Sequence, residues 1–291
     1  MTSTATLPAR VIPTRRIEFD FRPGLHKHFM NGDLVQSHAV TVLSCMFPEG
    51  EDFFVRSVRN YRDRVTDPEL KRQVAGFIGQ EAIHGREHRE FNERLGEFGY
   101  PTRLIDRSVH HGLKFLGKVL PKRDQLAVTA ALEHYTATLA EALLSTDMAE
   151  LSDVDEVAGI FQWHALEESE HKSVAFDVFQ QVCGKRHVRV GVMRVTTVVF
   201  LAALALGTAI SLALDPASRD LRRLVRSLRN VRSSPFLTRT VRQRIRDYDR
   251  RDFHPDDHDT TDLLRAWRDE LFGDDGSLNG KLKGAGNPSA A

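Results

Sequence analysis

Residues 79–88, GQEAIHGREH, and residues 163–172, WHALEESEHK, decide how this chain is read. Each contains a Glu-x-x-His unit, Glu81 with His84 and Glu168 with His171. At about 100° per residue, a glutamate and a histidine three positions apart share one face of a helix and can both reach one inward-facing site. His164 precedes Glu168 by one turn and His171 by two, which puts all three within roughly 60° of arc. His88 falls on the face of Glu81 and His84. One such unit could arise by chance in a charge-rich helix; two on separate helices point to a shared site.

Working outward, the chain divides into long helical segments. Residues 34–65 carry the first, with a kink or restart expected at Pro48 because proline is uncomfortable inside a helix. Thr66-Asp67-Pro68 reads as a cap and proline start for a second helix reaching about Phe98. A shorter helix is expected over 104–120. Residues 123–145, rich in Ala, Leu and Glu without Gly or Pro, form the next, and 153–181 another, ended by Gly184. With no alternating strand runs, the fold class is all-α: a four-helix bundle with additional C-terminal helices. The expected organisation is an N-terminal arm over 1–33, a metal-binding bundle over 34–184, an apolar helix and Arg-rich helices over 185–252, and a short helix with a flexible tail over 253–291.

A site built on two Glu-x-x-His units needs one glutamate from each of the other two helices. Glu133 lies among the small residues Thr129, Ala130, Thr136 and Ala137. In the first helix Glu49 and Glu51 compete around Pro48, and Glu51 lies farther inside the helix. The candidate set is Glu51, Glu81, His84, Glu133, His164, Glu168 and His171, as ligands and catalytic residues together; His88 is left open between ligand and hydrogen-bond partner. The bland alternatives are solvated i,i+3 pairs and core histidines with ordinary partners. Four buried glutamates, however, are tolerable only opposite cations. They balance two divalent ions, and oxygen with imidazole nitrogen and no thiolate favours iron, or manganese or a mixed Fe/Mn pair, over zinc.

Composition excludes much else. The 291 residues, 41% hydrophobic and 28% charged, can bury a sizeable core, and a net charge of +1 advertises no nucleic-acid partner. Two cysteines support neither a disulfide framework nor a Cys-rich metal site, and a reducing cytoplasm is the default compartment. No HEXXH, G-x-S-x-G, GxGxxG or P-loop pattern occurs. The glycines of GFIGQE read as close-packing positions.

Residues 195–214, VTTVVFLAALALGTAISLAL, carry no charge and could cross about 30 Å of hydrocarbon as a helix. Basic residues flank both ends, so orientation is undetermined. A buried core helix and a spanning, re-entrant or membrane-resting helix stay open, with attachment at the inner face of the membrane as the second localisation. Residues 215–252 hold twelve arginines against five aspartates, read first as a solvated face and next as an attraction to anionic lipid.

The ligand spacing resembles the ferritin-like non-haem di-iron carboxylate proteins, and within them is most similar to the p-aminobenzoate N-oxygenase type, which has a histidine four residues before the glutamate of its last Glu-x-x-His unit. His164, Glu168 and His171 match that pattern, Glu81 and His84 the earlier unit, and Glu51 and Glu133 the two lone glutamates. FPEGEDFF, QEAIHGREH, EHYTA and EESEHK also resemble a bacterial family labelled predicted metal-dependent hydrolase, over roughly residues 19–250. The resemblance implies two iron ions, O2, a small organic or lipid-like substrate and an external electron donor, since no flavin or nicotinamide motif is present. Metal-assisted hydrolysis and a ferritin-like metal-binding protein without organic substrate are the alternatives. A homodimer is left open.

Overall fold

Asp33 and Asp67 start the first two helices. The computed structural model describes residues 11–283; residues 1–10 of the expected arm and 284–291 of the expected tail lie outside the described residues. In α1 (Leu34–Arg59) the Asp33 carboxylate accepts from the backbone N–H of Gln36, and in α2 (Pro68–Glu97) Asp67 accepts from that of Glu69 with Pro68 in the first turn.

The break expected at Pro48 does not occur: α1 runs through it. Proline removes the donor that would bond the carbonyl four residues back, which is that of Ser44. Asn92 of α2 supplies the substitute, its Nδ2 donating to the Ser44 carbonyl at 3.1 Å. The local defect is repaired from another helix.

Eight further α-helices follow among the described residues: α3 (Thr102–Val119), α4 (Lys122–Leu144), α5 (Asp155–His171), α6 (Val174–Val182), α7 (Arg186–Leu214), α8 (Leu221–Asn230), α9 (Arg239–Asp247) and α10 (Thr261–Phe272). The molecule is an all-α bundle, and one isolated bridge, Ile17 with Leu282, is its only β pairing among the described residues. The centre is α1 against α2 and α4 against α5, closed by contacts of α1 with α4 and α2 with α5. α3 lies mainly on α1, α7 along both α1 and α4, α8 on α1, α9 on α4 and α10 on α5.

Two apolar cores grip the bundle from either end. One joins Phe91, Leu144 and Trp163 with Ile17, Phe19 and Phe29 from the preceding segment. The other joins Phe53, Phe77, Leu126, Val178 and Phe179. A large apolar side chain contributes about 1.5–3 kcal/mol when fully buried, so these cores fix the rotations of the helices and hence what lies between them. On α1, α2 and α4 the candidate ligands fall between the two, and on α5 they run from the first core to the helix end.

Three boundaries differ from expectation. The segment read as one helix over 153–181 is interrupted at Lys172–Ser173, immediately after His171. Neither residue is Gly or Pro; the buried Lys172 ammonium is drawn to Glu141 Oε1 (3.0 Å), the His258 carbonyl (2.7 Å) and Thr260 Oγ1 (3.1 Å). Residues 11–33 are no loose arm: Ile17 and Phe29 are wholly buried. They run over α2 where a Cβ on Gly76 would stand 2.7 Å from Ile12 Cβ, which explains the glycines of GFIGQE. Finally, residues 273–283, expected in a flexible tail, pack back on that segment, with Glu18 N–H donating to the Lys281 carbonyl (3.1 Å), Lys283 N–H to that of Arg16 (2.7 Å), and Leu278 buried.

Candidate metal centre

The seven candidate residues converge from all four central helices: Glu51 from α1, Glu81 and His84 from α2, Glu133 from α4, and His164, Glu168 and His171 from α5. None is more than 3% exposed. Glu51 reaches the centre because Gly85 has no side chain; a Cβ there would stand 3.2 Å from Glu51 Oε2. Glu49, its competitor, is turned away and its Oε2 meets His110 Nδ1 at 2.9 Å.

The side chains form two groups. Ligand atoms of Glu51, His84 and His164 lie within 4.8 Å of one another, and so do those of Glu81, Glu168 and His171. Glu133 Oε2 joins the second at 3.4 Å from His171 Nε2. Glu168 spans both: its Oε1 is 2.9 Å from His164 Nε2 and 3.8 Å from His84 Nδ1, and its Oε2 is 3.6 Å from His171 Nε2. The Glu81-x-x-His84 unit is thus divided, because three residues of helix separate the two side chains along the axis by about 4.5 Å, enough to serve neighbouring positions instead of one, whereas Glu168 and His171 stay in one group.

Each of the three candidate ligand histidines has one ring nitrogen tied back and the other turned inward. His84 Nε2–H donates to Glu167 Oε2 (3.0 Å), leaving Nδ1 inward, and His171 Nδ1–H donates to Gln80 Oε1 (2.8 Å), leaving Nε2 inward. His164 is oriented through a chain. Ser44 Oγ–H donates to Asn92 Oδ1 (2.7 Å) and so accepts from His88 Nδ1–H (2.8 Å); His88 Nε2 then accepts from His164 Nδ1–H (2.7 Å), which frees His164 Nε2. Both nitrogens of His88 are occupied by protein partners, so it stands behind His164 and does not join the ligand groups.

Electrostatics mark the same place. Burial, then the neighbouring Glu81 and Glu168 charges, push the Glu51 carboxyl well above its ordinary range. Burial and Glu133 take Glu81 up to about 8, and burial and Glu168 take Glu133 up to about 7. Burial also acts to raise Glu168, but His171 and the close approach of His164 outweigh it and hold that carboxyl low. Burial drives the His84 and His88 imidazoles toward neutrality, with His164 adding to the effect.

A further layer was not anticipated from sequence. Glu167 and Glu170, on either side of the ligand Glu168 and both wholly buried, are bridged by Arg15, whose Nη1 is 2.8 Å from Glu167 Oε1 and from Glu170 Oε2. Gln80 Nε2 and Arg268 Nε also donate to Glu170, at 2.9 and 2.7 Å. The signal was the run EESE in a helix with no solvated face, where every glutamate needs a partner.

A second His and carboxylate cluster was also missed. His28, His38 and Asp215 meet where α7 ends: Asp215 Oδ2 is 2.8 Å from His28 Nε2 and 3.0 Å from His38 Nε2. Lys27 Nζ stands 3.0 Å from Asp215 Oδ1, and Arg223 donates to His28 Nδ1 (2.9 Å). This carboxylate already has a cation and all its hydrogen bonds.

Among the described residues no lysine or arginine pairs with the central glutamates, and most of their oxygens lack a hydrogen bond. Of the fourteen buried polar side-chain atoms without a hydrogen-bond partner among the described residues, nine belong to it: both oxygens of Glu51, Glu81 and Glu133, Glu168 Oε2, His84 Nδ1 and His171 Nε2. Even where His171 Nε2 stands 3.0 Å from Glu81 Oε1, the two form no hydrogen bond. Unpartnered hard donors around two adjoining points fit a pair of metal ions. No curated protein and no solved structure matches the chain. The family described as predicted metal-dependent hydrolase matches residues 13–259, most of the sequence. This chain belongs to that predicted metal-dependent hydrolase family.

Proposed function

We propose that the protein is a ferritin-like di-iron oxidoreductase that uses O2 to oxidise an organic, apolar substrate. The observation that carries this reading is the donor set: four buried glutamates with seven unpartnered oxygens, three inward imidazole nitrogens, no thiolate, and Glu168 shared between two groups. Four carboxylate charges match two divalent ions without help from other residues. Two iron ions held there would supply the two-electron activation of dioxygen.

The residues themselves do the rest. Glu51, His84 and His164 would hold one ion and Glu81, Glu133 and His171 the other, with Glu168 within reach of both groups. Glu167, Gln80 and His88 keep each imidazole in the tautomer whose free nitrogen faces inward. Burial keeps bulk water out. None of the seven side chains is more than 3% exposed, so the site favours a small apolar reactant such as O2 over a polar molecule with its hydration shell. In monooxygenation one oxygen atom enters the substrate and the other leaves as water, taking two electrons from an external donor and two protons.

The family description favours a second reading, metal-assisted hydrolysis, in which a metal-bound water attacks the substrate. One set of measurements separates the two. Purified protein should carry about two ions per chain, predominantly iron, absorb in the near ultraviolet when oxidised, and consume O2 after chemical reduction. Zinc as the bound metal, with no O2 uptake and with ester or amide cleavage, would reverse the assignment.

A further inference from the structure

We propose that α3, α7 and α8 form one face that rests in the surface of an anionic lipid bilayer, with α7 lying in the membrane plane and not crossing it.

α7 is inside out for a water-soluble helix. Toward the bundle it presents Met193, Thr196, Thr208 and Ser211, and its polar groups are spent there: Thr197 Oγ1 accepts from Tyr135 (2.9 Å) and Ser211 Oγ meets His38 Nδ1 (2.6 Å). Outward it presents Val195, Val198, Val199, Leu206 and Ile210, which fall within about 120° of arc and are 37–68% exposed. Only 6% of its most apolar stretch is buried. Polar residues facing protein and apolar residues facing out is the arrangement of a helix whose outer surroundings are hydrocarbon.

The neighbouring helices extend the face. With Val11, Phe98 and Leu237 set aside, every large exposed hydrophobic among the described residues lies on α3, α7 or α8. All three helices pack on α1, and Ile105 and Val109 of α3 share a small core there with Leu204 of α7. α3 adds Leu104, Phe115 and Val119. α8 adds Leu221, Val225 and Leu228, one stripe at i, i+4, i+7, with Arg222, Arg226 and Arg229 interleaved. Lys114, Lys118 and Lys122 stand beside Phe115 and Val119. None of these six cations has an ion-pair partner among the described residues. An apolar stripe edged by unpaired basic residues complements anionic headgroups over acyl chains.

The packing decides against a crossing helix. α7 lies along α1 and α4, the helices that carry Glu51 and Glu133, so spanning would take the charged outer surface of the bundle into hydrocarbon. Contact of one face with the upper acyl region needs no such burial. The Gly207 position lets α7 sit that close to α1: a Cβ there would stand 2.8 Å from Val42 Cγ1.

The test uses full-length protein and extruded vesicles of phosphatidylcholine alone or with about 30 mol% phosphatidylglycerol. The protein should sediment with the anionic vesicles and be released by alkaline carbonate. Val199→Glu with Leu206→Glu, both on solvent-facing positions, should weaken binding at least about tenfold with unchanged circular dichroism and metal content, and Arg226→Glu with Arg229→Glu should weaken it most at low salt. Three results would overturn the proposal: protein left in the supernatant at low salt, resistance to carbonate extraction, or a dimer in light scattering that the Val199 and Leu206 changes dissociate while vesicle binding is absent. Because metal content is read separately, a failure here leaves the di-iron reading untouched.

Discussion

Two buried clusters of histidine and carboxylate sit in this molecule and could hardly differ more. At the centre, nine polar atoms of Glu51, Glu81, His84, Glu133, Glu168 and His171 have no hydrogen-bond partner among the described residues. At the end of α7, Asp215 is matched by Lys27, His28 and His38, and none of its atoms is orphaned. Proximity of ligand types therefore does not make a metal site. What separates them is a permanent built-in cation: Lys27 bonds to Asp215, with Arg223 behind it on His28, and among the described residues no lysine or arginine bonds to any of the four central glutamates.

The largest test of that contrast is paired substitution. Glu168→Ala removes the side chain common to both groups and should lower bound metal from about two ions per chain to nearly none, as read by elemental analysis. Asp215→Ala should leave metal content unchanged and instead cost about 3–5 kcal/mol in denaturant unfolding, because it strands Lys27 and two histidines. Metal loss from the Asp215 variant would erase the distinction.

The pH dependence of stability should differ in sign. Glu81 and Glu133, raised to about 8 and about 7, bind protons more tightly in the folded metal-free protein than in the unfolded chain. Between about pH 4.5 and 8 the folded state then holds more protons, so metal-free stability falls as pH rises, by on the order of a few kcal/mol. Bound metal should abolish that loss and release protons on binding. The Asp215 cluster runs the other way. Its carboxyl is held low by the His28 and His38 bonds against the effect of burial, and burial lowers His38 to about 4, so its contribution is present near neutrality and disappears as pH falls below about 6. Thermal melts of chelated and metal-loaded protein across pH check both signs.

The smallest effect lies in the layer behind the centre. Asn92→Ala removes the donor to the carbonyl that Pro48 leaves free and the acceptor that orders Ser44, His88 and His164. A loss of about 1–3 kcal/mol is expected, with metal affinity reduced and not abolished. An unchanged metal affinity would show that His164 holds its orientation without the chain.

Much of the centre was legible because helix periodicity is local. The Glu-x-x-His spacings, the turn from His164 to Glu168 and the absence of strand patterns are properties of consecutive residues, as are the Asp67-Pro68 start and the Gly184 stop, where φ is +59° and the amide donates to the Phe179 carbonyl. The interruption after His171 and the continuation of α1 through Pro48 were hidden, since each depends on a side chain from another helix. So was the packing of residues 273–283, whose partners lie at the other end of the chain.

The amino-acid sequence by itself determined the helices, the residue types of the centre and the charge they demand, because these follow from spacing along one helix and from the cost of burying glutamate. Tertiary structure alone decided that Glu81 and His84 are split between two groups, that His88 stands behind His164, and that α7 turns its apolar side outward. Those outcomes rest on how helices rotate against one another, and that rotation is set by two apolar cores assembled from residues far apart in the chain.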